Sequence, residues 1–157
     1  MKYQLRAIFV MMFILWTVNL NAGGMGSNGG NFSVPAFWNL VENEIVPHLK
    51  TLKRDPKSPL SSMQIDQLLT KMNRNVTNVN IIETPFVIEK NGVKKAVDAI
   101  NYPNDNKIDL YKPTWDSYFS LGRDINYLIT HEFMGLAHIN DEENISTKLF
   151  PPKKKSA

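Results

Sequence analysis

The chain has 157 residues, a formal charge of +3 and no cysteine. This length suits one domain with one hydrophobic core, and a second domain is not expected. Because there is no cysteine, the chain has neither a disulfide framework nor a thiol for lipid attachment, so folding depends on the core alone.

The first 22 residues have the pattern of a cleavable signal peptide. Lys2 and Arg6 precede an apolar run from Ala7 to Val18, and Ala22 supplies a small residue at the cut. The run is about 12 residues long, whereas a helix that crosses a bilayer needs about 20, so a retained anchor is the weaker interpretation. We therefore expect an exported protein, secreted or periplasmic, with no membrane contact after cleavage.

Removal of the signal changes what the charge implies. Lys2 and Arg6 leave with it and no acid does, so the formal charge falls from +3 to +1 over the remaining 135 residues. Lys153, Lys154 and Lys155 lie together at the end of the chain, so the body is slightly acidic. The composition therefore gives no argument for a nucleic-acid partner.

Composition divides the rest of the chain into three parts. Segment 23–32 is rich in glycine and predicts a flexible lead-in. A single domain follows over 33–150, and a basic tail occupies 151–157.

Apolar residues recur at helical spacing in the first part of the domain. They predict a helix from Ser33 to Leu52, which Pro47 should kink or split. After a loop, Ser61 or Ser62 is expected to cap a second helix.

The middle of the chain changes to β-branched and alternating residues from Val76 onward. Asn91-Gly92 separates two such runs, which is a strong signal for a hairpin, and 107–111 follows as a further strand. We expect an antiparallel meander of about three strands. With a last helix over 124–136, the predicted fold class is α+β: N-terminal helices, a three-stranded meander, and a C-terminal His-Glu helix packed on the sheet.

That last helix carries the clearest chemical pattern in the chain. In the zinc-peptidase motif H-E-x-x-H, two histidines four residues apart face one metal ion and the glutamate polarises the attacking water. Here His131 and Glu132 are in place, but Gly135 stands at the second histidine and His138 stands where longer motifs have a glycine. Asp141 follows His131 by ten positions, where some of these peptidases place a ligand.

Shared metal binding by these residues depends on where the helix ends. In an unbroken helix His138 lies about 10.5 Å along the axis from His131, which is close to the limit for two imidazoles on one metal. If Gly135 ends the helix, the chain can fold back and bring His138 or Asp141 towards His131. We therefore predict Glu132 as the catalytic base of a zinc-dependent peptidase, with His131, His138 and Asp141 as zinc ligands and a peptide or protein as substrate.

Two other interpretations stay open at this point. The His-Glu pair can be structural, with Gly135 as a helix cap, in a non-catalytic secreted or periplasmic binding or envelope protein. A secreted inhibitor or effector that acts by surface complementarity is the other.

His48 is expected at the surface or half-buried, and Trp115 and Tyr118 in the core or lining a groove.

Three stretches together resemble a known group of proteins: 97–103, 108–115, and 129–136 followed by Asp141 and Ser146. The group comprises small, uncharacterised exported proteins of predatory Gram-negative bacteria with a closing H-E-x-x-G-[LI] helix, and the resemblance covers about the last 60 residues and the glycine-rich start. In this group's pattern the residue at the position of His138 is usually small. The pattern therefore favours His131 and Asp141 over His138 as metal ligands. It implies no established activity.

The order of sheet and His-Glu helix is also similar to the upper half of a minimal zinc-peptidase domain. That similarity implies an edge strand holding a peptide substrate above the metal by backbone hydrogen bonds. Strand 107–111 is the expected edge.

Overall fold

The structure, a computed structural model, describes residues 32–153. The predicted signal peptide, all but the last residue of the glycine-rich lead-in, and residues 154–157 lie outside the described residues. Between residues 32 and 153, no helix is long and apolar enough to cross a membrane.

The N-terminal helices form one nearly continuous rod. Helix α1 (Ser33–Leu40) runs through a π-helical turn (Val41–Ile45) into α2 (Val46–Leu52). The wider turn lies directly before Pro47, whose ring clashes with the carbonyl four residues earlier in a regular helix. The face buried in the core recurs every four residues and comprises Phe37, Val41, Ile45 and Leu49.

Helix α3 (Ser62–Lys71) begins with a capping box. The Ser61 hydroxyl accepts a hydrogen bond from the backbone N–H of Gln64 at 3.2 Å, and the Gln64 side chain accepts one from the N–H of Ser61 at 3.0 Å. Ser61 is thus the cap, and Ser62 is the first helical residue.

The strands form two separate sheets rather than one meander. The first sheet has the order β1-β5-β4, with β1 parallel and β4 antiparallel to β5. The second sheet is the two-stranded antiparallel hairpin β2-β3. The strands are β1 (Asn78–Ile82), β2 (Phe86–Lys90), β3 (Val93–Val97), β4 (Ala99–Tyr102) and β5 (Lys107–Tyr111).

The predicted hairpin turn has the expected conformation. Asn91 and Gly92 both have positive φ, 53° and 75°. Two such residues in a two-residue loop give the twist that joins adjacent antiparallel strands, and asparagine and glycine tolerate it best.

The prediction of a meander with β5 at its edge is wrong. Strand β5 is the central strand of the mixed sheet, and its residues Ile108, Asp109 and Leu110 are all buried. Burial of consecutive residues shows that both faces are covered, which local alternation does not reveal. Strand β4 is one of the edges, directly before β5 in the chain.

Three helices follow the sheet. They are α4 (Lys112–Ser120), α5 (Asn126–Leu136) and α6 (Ile145–Leu149). The predicted last helix corresponds to α5, beginning two residues later than expected, whereas α4 and α6 were not predicted. Helix α4 begins with Pro113 in its first turn, where proline is tolerated because the N–H groups there have no partner within the helix.

Aromatic packing fixes α5 against the N-terminal rod. The ring of Phe133 lies 5.9 Å from that of Phe37 and 6.0 Å from that of Trp38, measured between centroids. Phe133 and Phe37 are completely buried. The contacts of Phe133 therefore fix the helix that carries the His-Glu pair against the core.

Truncation of this anchor should destabilise the whole domain. We expect Phe133→Ala to lower the free energy of unfolding by about 3 to 5 kcal/mol, because it removes a buried ring and leaves a cavity. Urea denaturation measures the change. Val87→Ala is the matched control: Val87 is 59% exposed, and its truncation should cost less than about 0.5 kcal/mol. A loss at Phe133 no larger than the control would contradict this packing.

Candidate acid–base site

The chain reverses after α5 at His138 and not at Gly135. His138 has φ 55°, in the left-handed region, while Gly135 lies inside the helix. The N–H of Ile139 donates to the carbonyl of Met134 at 2.9 Å, and that of His138 donates to Gly135 at 3.2 Å. This is a helix-terminating turn of the Schellman type, with histidine where glycine is most common.

The reversal brings Asp141 against His131. Nδ1 of His131 lies 2.7 Å from Oδ2 of Asp141, and the two side chains are only 12% and 6% exposed. Asp141 also accepts a hydrogen bond from the Ser146 N–H at 2.8 Å and one from the Ser146 hydroxyl at 2.5 Å. The first turn of α6 therefore holds the carboxylate in place against the imidazole.

The opposite nitrogen of His131 is open to a pocket. Among residues 32–153, Nε2 has no hydrogen-bond partner, and no fully buried side-chain nitrogen or oxygen lacks one. Nε2 must therefore be accessible, and His131 lines a pocket. Because an ionised carboxylate only accepts, Nδ1 carries the proton in the neutral ring and Nε2 presents its lone pair to the pocket.

Glu132 is oriented by a residue of strand β4. Its Oε2 atom accepts a hydrogen bond from Nδ2 of Asn101 at 3.0 Å. Its other oxygen, Oε1, has no hydrogen-bond partner among residues 32–153 and is not fully buried, and Glu132 also lines the pocket.

Gly135 is needed for the close approach of Asn101. A Cβ atom at position 135 would lie 2.5 to 2.7 Å from three side-chain atoms of Asn101. Such distances are inside van der Waals contact, so only glycine leaves space for this amide. Gly135 therefore lets β4 reach α5 and position Glu132.

The pocket has aromatic walls and an acidic interior. It is small, with space for about one water-sized group, and it is partly open to solvent. The residues that line it are Asp98, Ala99, Trp115, Tyr118, Leu128, His131 and Glu132.

Asp98 is fixed by residues of α4. Its carboxylate accepts hydrogen bonds from the Thr114 hydroxyl at 3.1 Å and the Tyr118 hydroxyl at 3.2 Å. Its backbone carbonyl accepts one from the Trp115 indole at 2.9 Å. Burial, together with the nearby charge of Asp98, raises the pKa of Tyr118 far above its usual range, so Tyr118 stays a hydrogen-bond donor.

The pKa values of His131 and Asp141 move apart. Burial alone would lower the pKa of His131, but the hydrogen bond to Asp141 and the charges of Glu132 and Asp141 outweigh it, so this pKa is raised. Burial would raise the pKa of Asp141, but the hydrogen bonds from His131 and Ser146 outweigh it, so this pKa is lowered. The contact therefore favours an ionised carboxylate beside a more basic imidazole.

The pKa of Glu132 moves in the opposite direction to that of Asp141. Burial raises its pKa, and Asp98 adds to the rise, against the opposing effects of His131 and of the Asn101 hydrogen bond. The site thus contains one carboxyl that favours ionisation and one that favours its protonated form.

The structure brings together three of the four predicted site residues. His131, Glu132 and Asp141 are neighbours, whereas His138 is exposed at the end of α5. Within the described part of the chain, no three histidine, aspartate or glutamate residues are arranged to hold a metal ion. Zinc binding by His131, His138 and Asp141 stays a prediction; in the structure the Asp141 carboxylate contacts His131 and Ser146.

Three features of the site were not predicted: Asp98, Asn101, and the hydrogen bonds from Ser146 to Asp141. Asp98 and Asn101 lie just before and within β4, so their closeness to α5 depends on tertiary packing. Their one signal was polarity inside an otherwise apolar run. His48, expected at the surface or half-buried, is exposed; Nε2 lies 3.0 Å from the Leu149 carbonyl and its ring packs on Phe150.

A double-mutant cycle tests the contact between Gly135 and Asn101. Gly135→Ala should destabilise the protein by about 1 to 3 kcal/mol through overpacking. In an Asn101→Ala background the clash is gone, so the same substitution should be neutral or stabilise by up to about 1 kcal/mol, as expected of alanine in a helix. Chemical denaturation of the four proteins gives the cycle, and an equal effect in both backgrounds would contradict the contact.

The coupling between His131 and Asp141 should depend on pH. The raised pKa of His131 gives stability that is complete below about 6.5 and is lost as pH rises through the folded value. The lowered pKa of Asp141 gives stability that is complete above about 3.9 and is lost as pH falls through the folded value.

We therefore expect the coupling energy from a His131→Asn and Asp141→Asn cycle to be larger at pH 5 than at pH 8.5. Nuclear magnetic resonance titration should also place the His131 pKa above that of a free histidine, and Asp141→Asn should lower it. A His131 pKa unchanged by the Asp141 substitution would exclude the proposed pairing.

Comparison with known proteins places the chain in no group. No family model, no curated protein and no solved structure matches it. The resemblance to exported proteins of predatory bacteria therefore stays a prediction, and the functional argument depends on the geometry of this site.

Proposed function

We propose that this chain is an exported acid–base enzyme in which His131, supported by Asp141, removes a proton from a group bound in the pocket. One observation carries the proposal: Nδ1 of His131 is held at 2.7 Å by Asp141, Nε2 has no hydrogen-bond partner among residues 32–153, and His131 lines a pocket together with Glu132. An imidazole fixed in this way has one tautomer, one orientation and a defined basic atom.

Asp141 contributes through His131 rather than by contact with the ligand. Its negative charge stabilises the imidazolium that forms when Nε2 accepts a proton, and its hydrogen bond keeps Nδ1 protonated beforehand. Ser146 fixes Asp141 in turn, so the base does not have to reorganise during the reaction.

Glu132 supplies the complementary acid. Its raised pKa extends the pH range over which the carboxyl holds a proton that it can donate within the same pocket; above that pKa the carboxylate accepts hydrogen bonds instead. Two titratable groups with shifted pKa values at one pocket are typical of functional sites. The base role that the H-E-x-x-H pattern assigned to Glu132 thus passes to His131.

Export and zinc-dependent peptide cleavage stay predictions from the sequence. In a zinc site the same contact would orient His131 as a ligand, because such histidines usually donate their second N–H to a carboxylate. His131, Asp141 and His138 do not converge on one point, however, so the metal-independent mechanism fits the described residues better.

Hydrolysis of a small activated ester tests the base without knowledge of the natural substrate. With p-nitrophenyl acetate, we expect His131→Asn to lower the rate by about 10²-fold, the usual loss when a general base is removed. Asp141→Asn should also lower it, because the nitrogen remains but loses the carboxylate that fixes its tautomer and stabilises the imidazolium. The rate should rise with pH through the His131 pKa.

His138→Asn and His48→Asn are the matched controls and should leave the ester hydrolysis unchanged. Elemental analysis and a chelator separate the two mechanisms. Retention of activity in a metal-free protein supports the acid–base proposal. One equivalent of bound zinc, with activity lost on chelation, would overturn it in favour of the metal-dependent prediction.

A further inference from the structure

The donors around the pocket are already used within the protein. The Trp115 indole N–H and the Tyr118 and Thr114 hydroxyls all donate to Asp98. The Asn101 amide donates to Glu132. A ligand that enters the pocket therefore meets few protein donors.

The acceptors, by contrast, remain available. Nε2 of neutral His131 and Oε1 of ionised Glu132 have no partner among residues 32–153. Each carboxylate oxygen of Asp98 receives one hydrogen bond from a side chain and can accept another. No lysine or arginine is among the residues that line the pocket.

From this arrangement we infer that the pocket receives a protonated primary amine, an ammonium group at the end of a small molecule, a peptide or a lysine side chain. This inference rests on the proposed function, since the ammonium N–H would be the proton donor for His131. An ammonium group has three N–H bonds and a positive charge, which match the acceptors of His131, Glu132 and Asp98.

The size and walls of the pocket agree with this ligand. The pocket has space for about one water-sized group, which is the size of an ammonium head. Trp115, Tyr118 and Leu128 line the pocket, and aromatic faces favour a cation and its methylene groups.

The chemical step is a single proton transfer. The N–H bond of the ammonium breaks, its electron pair stays on the amine nitrogen, and the proton forms a bond to Nε2 of His131. The products are a neutral amine and an imidazolium stabilised by Asp141. No other reactant takes part in this step.

Binding of three simple probes tests the inference at pH 8.5, which is above the ordinary pKa values of histidine and glutamate; the positive charge of a bound ammonium would itself favour the ionised carboxylate. The full-length mature protein is titrated with n-butylammonium, 1-butanol and tetramethylammonium, and the His131 ring resonances are followed by nuclear magnetic resonance. We expect saturable shifts with n-butylammonium. The two other probes should bind at least about tenfold more weakly, because one lacks the charge and the other lacks every N–H donor.

Variants identify the groups responsible. Glu132→Gln should weaken n-butylammonium binding by about tenfold, since a charged acceptor is lost. Glu143→Gln changes an exposed carboxylate elsewhere and should have no effect. Bound n-butylammonium should also lower the His131 pKa, because the ligand favours the neutral ring.

Equal binding of n-butylammonium and tetramethylammonium, or of 1-butanol, would overturn the inference even if Glu132→Gln failed to fold. The test is also separable from the proposed function. Ester hydrolysis without ammonium preference would reject only the amine ligand. Ammonium preference without His131-dependent hydrolysis would reject only the catalytic role.

Discussion

The contact between Nδ1 of His131 and the carboxylate of Asp141 is the constraint on which the site depends. It exists because α5 ends in a turn that passes through the left-handed region at His138 and returns the chain over the helix. Ser146 then fixes the carboxylate from the first turn of α6. One short segment after the helix thus determines the tautomer, the orientation and the basicity of a residue inside it.

A second constraint comes from strand β4. This strand approaches α5 so closely that the amide of Asn101 occupies the space a side chain at position 135 would fill. The approach places Asp98 and Glu132 at one pocket and fixes Oε2 of Glu132 by the hydrogen bond from Asn101. His131 is thus fixed by the segment after α5, and Glu132 is fixed by strand β4. A His-Glu pair exposed on a helix surface would have neither contact.

Local patterns predicted those parts of the fold that local interactions determine. The capping box at Ser61, the Asn91-Gly92 turn and helix α5 are set by residues close in sequence, and each appears in the structure. The sheet was different, because strand pairing depends on contacts between distant segments. The alternating run around Asn91-Gly92 forms its own hairpin, and the parallel pairing of β1 with β5 brings together residues 29 positions apart, as in Asn78 with Lys107.

The same distinction applies to the site. His131, Glu132 and Asp141 were identified from their spacing, and the fold-back that joins the first and last of them was expected from helix termination. The roles of Gly135 and His138 in that expectation were reversed: the histidine makes the turn, and the glycine makes room for a neighbouring strand. No sequence pattern near α5 could reveal this, because Asn101 and Asp98 arrive from another element.

The tautomer of neutral His131 tests its contact with Asp141 directly, and it can be observed through the ring nitrogens by ¹⁵N nuclear magnetic resonance at a pH above the His131 pKa. We expect a proton on Nδ1, held by Asp141, and a bare Nε2. A proton on Nε2, with Nδ1 bare, would contradict this expectation, because the carboxylate would then have no hydrogen to accept from the ring.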